Sequence, residues 1–402
     1  MPEERSPLMT VEERSPVRAI DLQSGHILHH DPFAALDEWR ESPPFWCEDD
    51  GGFWVVSRFD DVRDVLQDAE AFASGADTTV PRLEISEPLL PSFVAPPYVQ
   101  KLRAIVLPHM TAKRIGVLEP KMRSTCSELI SGFRDQGHCD VIRDFARQYP
   151  IQVFSELFGL PADRREEFRN HAETFLHEQE QAADAWEAIR TIVRAQLEEK
   201  RVRPQDDLLS AIAIGRIDDV LMDMDAAVNL ASTVFVGGLD TLPSNIGWSF
   251  RYLAEHPEAR RRIIEDPSVI PRAVEEFLRL WTVTAKDSRK AVKDIHFKGV
   301  NMRAGDRVMV LIGLANHDSA EFEDPLTANF DRTVNRHIAF AAGPHRCLGS
   351  HLARHGLEVA MEEWHSAIPD YRIVPDAHIV YDGGGVFAID SLPLEWEISS
   401  PV

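Results

Sequence analysis

Cys347 stands in the run Phe340-Ala-Ala-Gly-Pro-His-Arg-Cys-Leu-Gly349, directly ahead of SHLARHGLEVAMEEWHSAI, where Leu352, Leu357, Ala360 and Trp364 recur at helical spacing. A thiol just before a helix meets backbone N–H groups and the positive end of the helix dipole, and both favour a thiolate. Glycines at 343 and 349 let the backbone wrap closely around a bulky sulfur ligand. One accessible thiolate in such a loop suits a single axial position on a metal. Two other readings of the same residue stay open at this point. Cys347 is a small buried hydrophobe, or it is a nucleophile with His345 or His351 as base. The latter needs a base across a cleft and a third orienting residue, and no local signature supplies them.

A second stretch with chemical content is Gly237-Gly238-Leu239-Asp240-Thr241, inside an apolar helical pattern running from about Met222 to Leu253. Adjacent glycines in a helix interior cost about 1 kcal/mol each relative to alanine, so something must approach closely there, and a flat cofactor is such a thing. Asp240 and Thr241 set an acid beside an alcohol. The plainer alternative has the Thr241 hydroxyl bonding back to the carbonyl four residues earlier and Asp240 in a simple ion pair. Pro243 has no N–H for the Leu239 carbonyl, and its ring crowds that carbonyl, so the helix is expected to bend or open there. Glu276 and Arg279, three apart on a helix beginning near Pro271, are by default a surface ion pair of little value.

The elements that must position these residues follow from composition and pattern. The chain has 402 residues, 44% hydrophobic and 27% charged, enough for a sizeable core, which excludes wholesale disorder and small disulfide scaffolds. No Ser/Gly-rich or Pro-rich linker divides it and no repeat has a fixed period. A formal net charge of -23 opposes a nucleic-acid backbone or an anionic membrane as the main partner. Cys47, Cys126 and Cys139 are far from one another and from Cys347, with no Cys-x-x-Cys pair, which fits a reducing cytosol. The opening MPEERSPLMTVEERSPVRAI lacks the apolar core of a signal peptide, and the run Val308 to Ala315 is far shorter than a membrane span. A cytoplasmic protein without a membrane anchor is expected. Residues 1–25 read as an N-terminal tail and 26–402 as one domain. Asp31 to Leu66 reads helix, strand, helix, with Asp31-Pro32 a good helix start. Phe72 to Pro97, with five prolines, reads as a long loop, and Lys101 to about Leu280 is dominated by helical patterns. Strands enter with DIHFKGVNMRAGDRVMVLIG and return in YRIVPDAHIVYDGGGVFAIDSLPLEWEI. The fold class is mainly α with small β sheets.

Phe-x-x-Gly-x-His-x-Cys-x-Gly, carried by Phe340, Gly343, His345, Cys347 and Gly349, resembles the haem-binding loop of the cytochrome P450 family, with Ala341 where the family often has glycine. Glu276-Phe-Leu-Arg279 resembles the family's Glu-x-x-Arg, and Arg332 in FDRTVNRH fits the third member of that buried network. The likeness extends over nearly the whole chain, through GGFWVVSRFDDV, ANHDSAEFEDP and GGGVFAI, and is closest to soluble bacterial members acting on camphor and similar terpenoids. It implies the P450 fold, with haem b (iron protoporphyrin IX) between the long central helix and the helix after the cysteine loop. Cys347 would be the proximal thiolate and metal ligand, Phe340 would pack near the sulfur, and Gly343, Gly349, Gly237 and Gly238 would lie against the cofactor. His345 and Arg103 would reach propionates, as would Asp287 and Arg289, which resemble the corresponding pair of the camphor-hydroxylating subgroup. A carboxylate there implies that one of the two acids is protonated or strongly bonded. The common His of the Pro-Pro-x-His stretch is Val99 here.

The resemblance further implies a monooxygenase that inserts one oxygen atom of O2 into a small hydrophobic, terpenoid-like substrate, with Asp240 and Thr241 as the acid and alcohol that route protons. Pocket walls would include Thr233, Val236, Thr284, Val386 and Phe387, with the Phe72 to Val94 loop, Leu89 among its residues, as a lid. The subgroup's substrate-binding tyrosine would fall near Glu87 and Leu89, and no tyrosine occurs between Trp54 and Tyr98, so an apolar or differently anchored substrate is expected. The chain has no flavin or nicotinamide fingerprint. Electrons would therefore come from a separate 2Fe-2S ferredoxin with its reductase, docked on Lys101, Arg103, Lys113, Arg114, Arg336, Arg346, Arg354 and the histidines near the loop. The family's habit implies a monomer. A haem-binding sensor would need no proton relay, and a peroxide-driven peroxygenase would need no redox partner.

Overall fold

The computed structural model describes residues 16–17, 27–28, 31–80, 87–178 and 180–398. Most of the expected tail at 1–25 and residues 81–86 of the expected lid lie outside the described residues. Helices make up the bulk of the described residues, with small sheets among them.

The first expected helix forms at Pro32–Leu36, where the Asp31 carboxylate accepts from the Phe33 N–H at 2.9 Å. The strand Phe53–Val56 and the helix Phe59–Gln67 follow as the pattern predicts. The largest sheet runs Pro16–Val17, Phe45–Cys47, Phe53–Val56, Arg307–Val310, Asp287–Ala291, Phe72–Ala73. In the antiparallel pair of Arg307–Val310 with Asp287–Ala291, Val308 stands opposite Arg289 and Val310 opposite Asp287. Strand side chains alternate, so Asp287 and Arg289 emerge on the same face.

The long central helix is a correction to the sequence reading. It consists of two helices, Met224–Val236 and Thr241–Glu255, separated by Gly237 to Asp240. Across the break the hydrogen bonds tighten, with Gly238 N–H donating to Phe235 and Leu239 N–H to Val236, both three residues back. Of the bend or opening expected at Pro243, the structure shows the opening, placed just before it at 237–240. Pro243 falls in the first turn of Thr241–Glu255, where its missing N–H has no intrahelical partner to lose.

The Ser350–Ala367 helix packs on Glu119–Phe133 and on Ile270–Leu280, and the segment leading to Cys347 is fastened to the last of these. Glu276 and Arg279 are fully buried, so they are no surface pair. Glu276 accepts from Arg279, from Arg332 Nε at 2.9 Å, from the Asn335 amide and from the Asn329 N–H, while Arg279 also donates to the carbonyls of Asn316 and Thr327. Burial alone would raise the Glu276 pKa, but Arg279 and its other partners hold it below the ordinary value. Next to it, Glu275 bonds Arg354 and His337, which outweigh burial and bring its pKa down to about 2. No helix among the described residues is long and apolar enough to cross a membrane.

Removing the charge of Glu276 leaves two guanidinium groups buried without their anion. Glu276→Gln is therefore expected to lower stability by about 3–5 kcal/mol, read by equilibrium denaturation. A loss within experimental error would show that the arginines are held by carbonyls alone.

Candidate active site

A cavity of about 470 Å³ lies between the broken helix and the cysteine loop. Thr233, Val234, Gly237, Gly238 and Thr241 line one wall; Phe340, Ala341, His345, Cys347 and Gly349 line the opposite one; Arg103, Asp287 and Arg289 close a side. Thr233 comes from the first helix, Gly237 and Gly238 from the break and Thr241 from the start of the second helix, while Val236 is buried in the core. Leu89 and Thr284 line the cavity as expected, whereas Val236, Val386 and Phe387 do not. Phe387 is buried against Phe33 and carries the carbonyl that takes the Trp248 indole N–H. The sequence reading missed Tyr149, Val153 and Phe154 of the Gln148–Phe158 helix, which also line the cavity. Their spacing resembles that of any core-facing helix, so no signal marked them.

The loop around Cys347 is held by its own backbone. The Cys347 N–H donates to the Phe340 carbonyl at 2.8 Å, and Ala341 takes φ +55°, the left-handed region where the family's glycine would be unstrained. Gly343 has φ +71°, and a Cβ there would lie 2.3 Å from the Leu66 carbonyl oxygen, so its role is to seat the loop on the Phe59–Gln67 helix. A Cβ on Gly349 would lie 3.9 Å from the Cys347 sulfur, an ordinary contact, and Gly238 makes room for the Phe154 ring. At Gly343 and Gly238 a side chain would meet the chain itself, the Leu66 carbonyl and the Phe154 ring.

Cys347 is deep in the molecule yet presents its surface to the cavity. Burial pushes its pKa up, against the Gly349 N–H and the charges of Arg103, Arg346 and Arg354. The helix start therefore does not make a thiolate unaided, while a bound metal would. Burial lowers the Arg103 pKa, and burial with Arg289 nearby brings His345 down to about 4. Arg289 Nη2 and His345 Nε2 are buried with no hydrogen-bond partner among the described residues. Asp287 is already matched: it accepts from Arg289 Nη1 at 2.8 Å and from the Ser288 N–H. A thiol opposite a glycine-containing helix break, with unpartnered cationic and imidazole nitrogens at the side, fits a flat metal cofactor bearing carboxylates.

Thr241 faces this cavity, its hydroxyl at a long 3.5 Å from the Gly237 carbonyl, the back-bond foreseen as the plainer reading. Asp240 lines a separate space of about 20 Å³ with Arg147, Arg169 and Pro243. Several of the basic residues expected to form the docking patch are engaged within the chain. Arg103 lines the cavity, Arg354 pairs with Glu275 over the Phe340 ring, and Lys101, Arg114 and Arg336 pair with Asp218, Asp206 and Glu321. Lys113 and Arg346 are exposed.

The sequence profile described as Cytochrome P450 matches residues 165–364. The chain is 31% identical to "Probable cytochrome P450 127A1" of Sinorhizobium fredii, over 91% of this chain and 90% of that protein. It belongs to the cytochrome P450 family. A further relative, the "Mycinamicin IV hydroxylase/epoxidase" of Micromonospora griseorubida, is 32% identical over 89% of this chain and 92% of its own. The crystal structure of CYP101J2 superposes with TM-score 0.86 at 30% identity, covering 94% of this P450 and 97% of that chain. The protein is thus a P450 monooxygenase with the P450 fold, and its cofactor is haem b.

Gly343→Ala is expected to push the cysteine loop off the Leu66 carbonyl, because backbone cannot yield as a flexible side chain would. Haem content per protein, measured by absorbance, should fall several-fold, while Gly349→Ala should load nearly as well as the parent.

Proposed function

We propose that residues 26–402 form one haem-thiolate monooxygenase unit acting on a compact hydrophobic, terpenoid-like substrate, with electrons delivered by a separate ferredoxin. The observation that carries this reading is the cavity with the Cys347 thiol on one wall and Thr241 on the other. Cys347 would ligate the iron, and Arg103, Arg289 and His345 would hold the propionates, with Asp287 fixing the Arg289 guanidinium. Bound haem supplies the reductive activation of O2.

The chain's own part is positioning, exclusion of water and proton supply. Thr241 offers its hydroxyl to the cavity, and its long bond to Gly237 leaves it free to turn. Asp240, the next residue back, opens on the small space on the other side, large enough for about one water. In this reading protons enter through Asp240, cross at the helix break and leave through Thr241.

Substrate size is limited because cofactor and substrate share one cavity, and Leu89, Val153, Phe154 and Val234 give it apolar walls. Relatives are named for mycinamicin and for steroids, so membership in the family leaves the substrate to the cavity. The Tyr149 hydroxyl is committed to the Gly356 carbonyl at 3.1 Å, which leaves it no free donor for a substrate ketone. Lys113 and Arg346 supply the local positive charge on which an acidic ferredoxin docks.

The test begins with the reduced, carbon-monoxide-treated spectrum. A red-shifted Soret band that Cys347→Ser abolishes is expected, and the same band in both proteins would remove the proposed ligand. Monoterpenoids should then shift the spin state where steroids and macrolides do not; the reverse order would refute the substrate class. Thr241→Ala should keep haem and substrate binding but divert electrons to peroxide, so that product per electron falls about 10-fold or more. Unchanged coupling would count against the relay.

A further inference from the structure

Tyr149 lines the haem cavity with its ring fully buried, and from it a line of rings leads outward. Phe145 stacks on Tyr149 at 5.9 Å between centroids, Trp364 meets Phe145 edge-on at 5.3 Å, and Trp396 meets Trp364 edge-on at 6.2 Å. Trp396 is half-buried beside the exposed Glu397 and Ile398, with its indole N–H donating to the Arg134 carbonyl at 2.9 Å. The line therefore joins the cavity wall to the surface.

Trp364 is the unusual member. It is fully buried, and its Nε1 has no hydrogen-bond partner among the described residues. An unpaired buried donor is a cost to the fold that phenylalanine, filling most of the same space, would not carry. What an indole adds to a ring in this position is ease of one-electron oxidation.

We propose that Trp364 and Trp396, bridged to the cavity by Phe145 and Tyr149, carry oxidising equivalents out of the haem site when no substrate is there to receive them. With hydrogen peroxide as the oxidant, its O–O bond breaks and two waters form, which takes two electrons and two protons. Each electron passes inward from Trp396 to Trp364 and on through the stacked pair to the cavity. Trp396 releases its Nε1 proton to solvent, which matches the proton that the oxygen takes up, and a neutral indolyl radical is left at the surface. An external one-electron donor such as ascorbate, giving an electron and a proton, restores it. The Tyr149 hydroxyl is buried on the Gly356 carbonyl and Trp364 Nε1 is buried without a partner, whereas the Trp396 N–H lies at a half-exposed edge where solvent can take its proton, so Tyr149 and Trp364 pass the electron and Trp396 stores the radical.

The relay rests on the haem site proposed above, and the carbon-monoxide spectrum of each variant reports that site separately. The haem-loaded protein is exposed to hydrogen peroxide without substrate, oxidised residues are mapped by peptide mass spectrometry, and the Soret band follows haem survival. Trp186, also half-buried but stacked on Phe175 outside the line, is the internal control. Trp396 should be oxidised at least five-fold more than Trp186. Trp364→Phe should cut Trp396 oxidation at least three-fold and speed haem loss at least two-fold, with Trp364→Tyr restoring part of both. Should the buried variants fail to fold, Trp396→Phe carries the test, since oxidation must then move inward to Trp364. Equal oxidation of Trp396 and Trp186, an unchanged map in Trp364→Phe, or no inward movement in Trp396→Phe would each overturn the relay.

Discussion

The thiol of Cys347 sits where a negative charge is hard to make. It faces a largely apolar cavity, burial raises its pKa, and the nearby N–H and guanidinium groups offset only part of that. An anion in such a place has to be matched by a cation brought in from outside, and an iron that coordinates the sulfur is one. The same holds with the sign reversed for Arg103, whose charge burial disfavours. A neutral guest would relieve neither strain. A flat group with a metal at its centre and carboxylates at its edge meets both, the metal facing the sulfur and the carboxylates facing the arginines.

Such a site works only if the cysteine loop cannot drift, and two adjacent carboxylates see to that from one helix. Glu275 and Glu276 are successive residues of Ile270–Leu280, so their side chains diverge by about 100°. Glu275 takes Arg354 and His337, which belong to the helix after the loop and to the strand of chain entering it. Glu276 takes Arg332, Asn329 and Asn335, earlier in that same segment. The loop is thus clamped on both flanks to a single rigid element. Seating of Gly343 on the Phe59–Gln67 helix supplies a third point, and three fixed points define the orientation of the sulfur.

What the sequence made legible was whatever local chemistry controls. Asp31-Pro32 caps a helix because the cap involves neighbours, and the cysteine run stands out because glycine, proline and a single thiol are rare at that spacing. The glycines at 237 and 238 were visible as a weakness in a helix, but their number and Pro243 together end it, which a periodicity that runs through the break conceals. Val236 went to the wrong face because a helix taken as continuous from Met222 gives no absolute orientation. Val386 and Phe387 were carried over by likeness of position, and the loop that bears them, just ahead of the strand Ala388–Ser391, packs Phe387 on Phe33. Tyr149 and Phe154 line the cavity from a helix whose apolar stripe faces core and cavity alike, and nothing in a stripe tells a void from a neighbour.

The break in the central helix has a consequence that a continuous helix could not provide. In an unbroken helix Asp240 and Thr241 would have their backbone groups tied into the ladder and their side chains locked to its screw. Here Gly238 and Leu239 bond three residues back, and Thr241 begins a new helix whose first turn owes no N–H to residues before it. The chain is thereby opened where its two faces must communicate, with Asp240 on a water-sized space and Thr241 on the large cavity. Pro243 enforces the opening, since it could not complete the ladder back to Leu239. The local instability of two glycines and a proline is thus placed at the point where the geometry of the proposed proton path needs a gap, and the tightly packed helices on either side keep that gap from spreading.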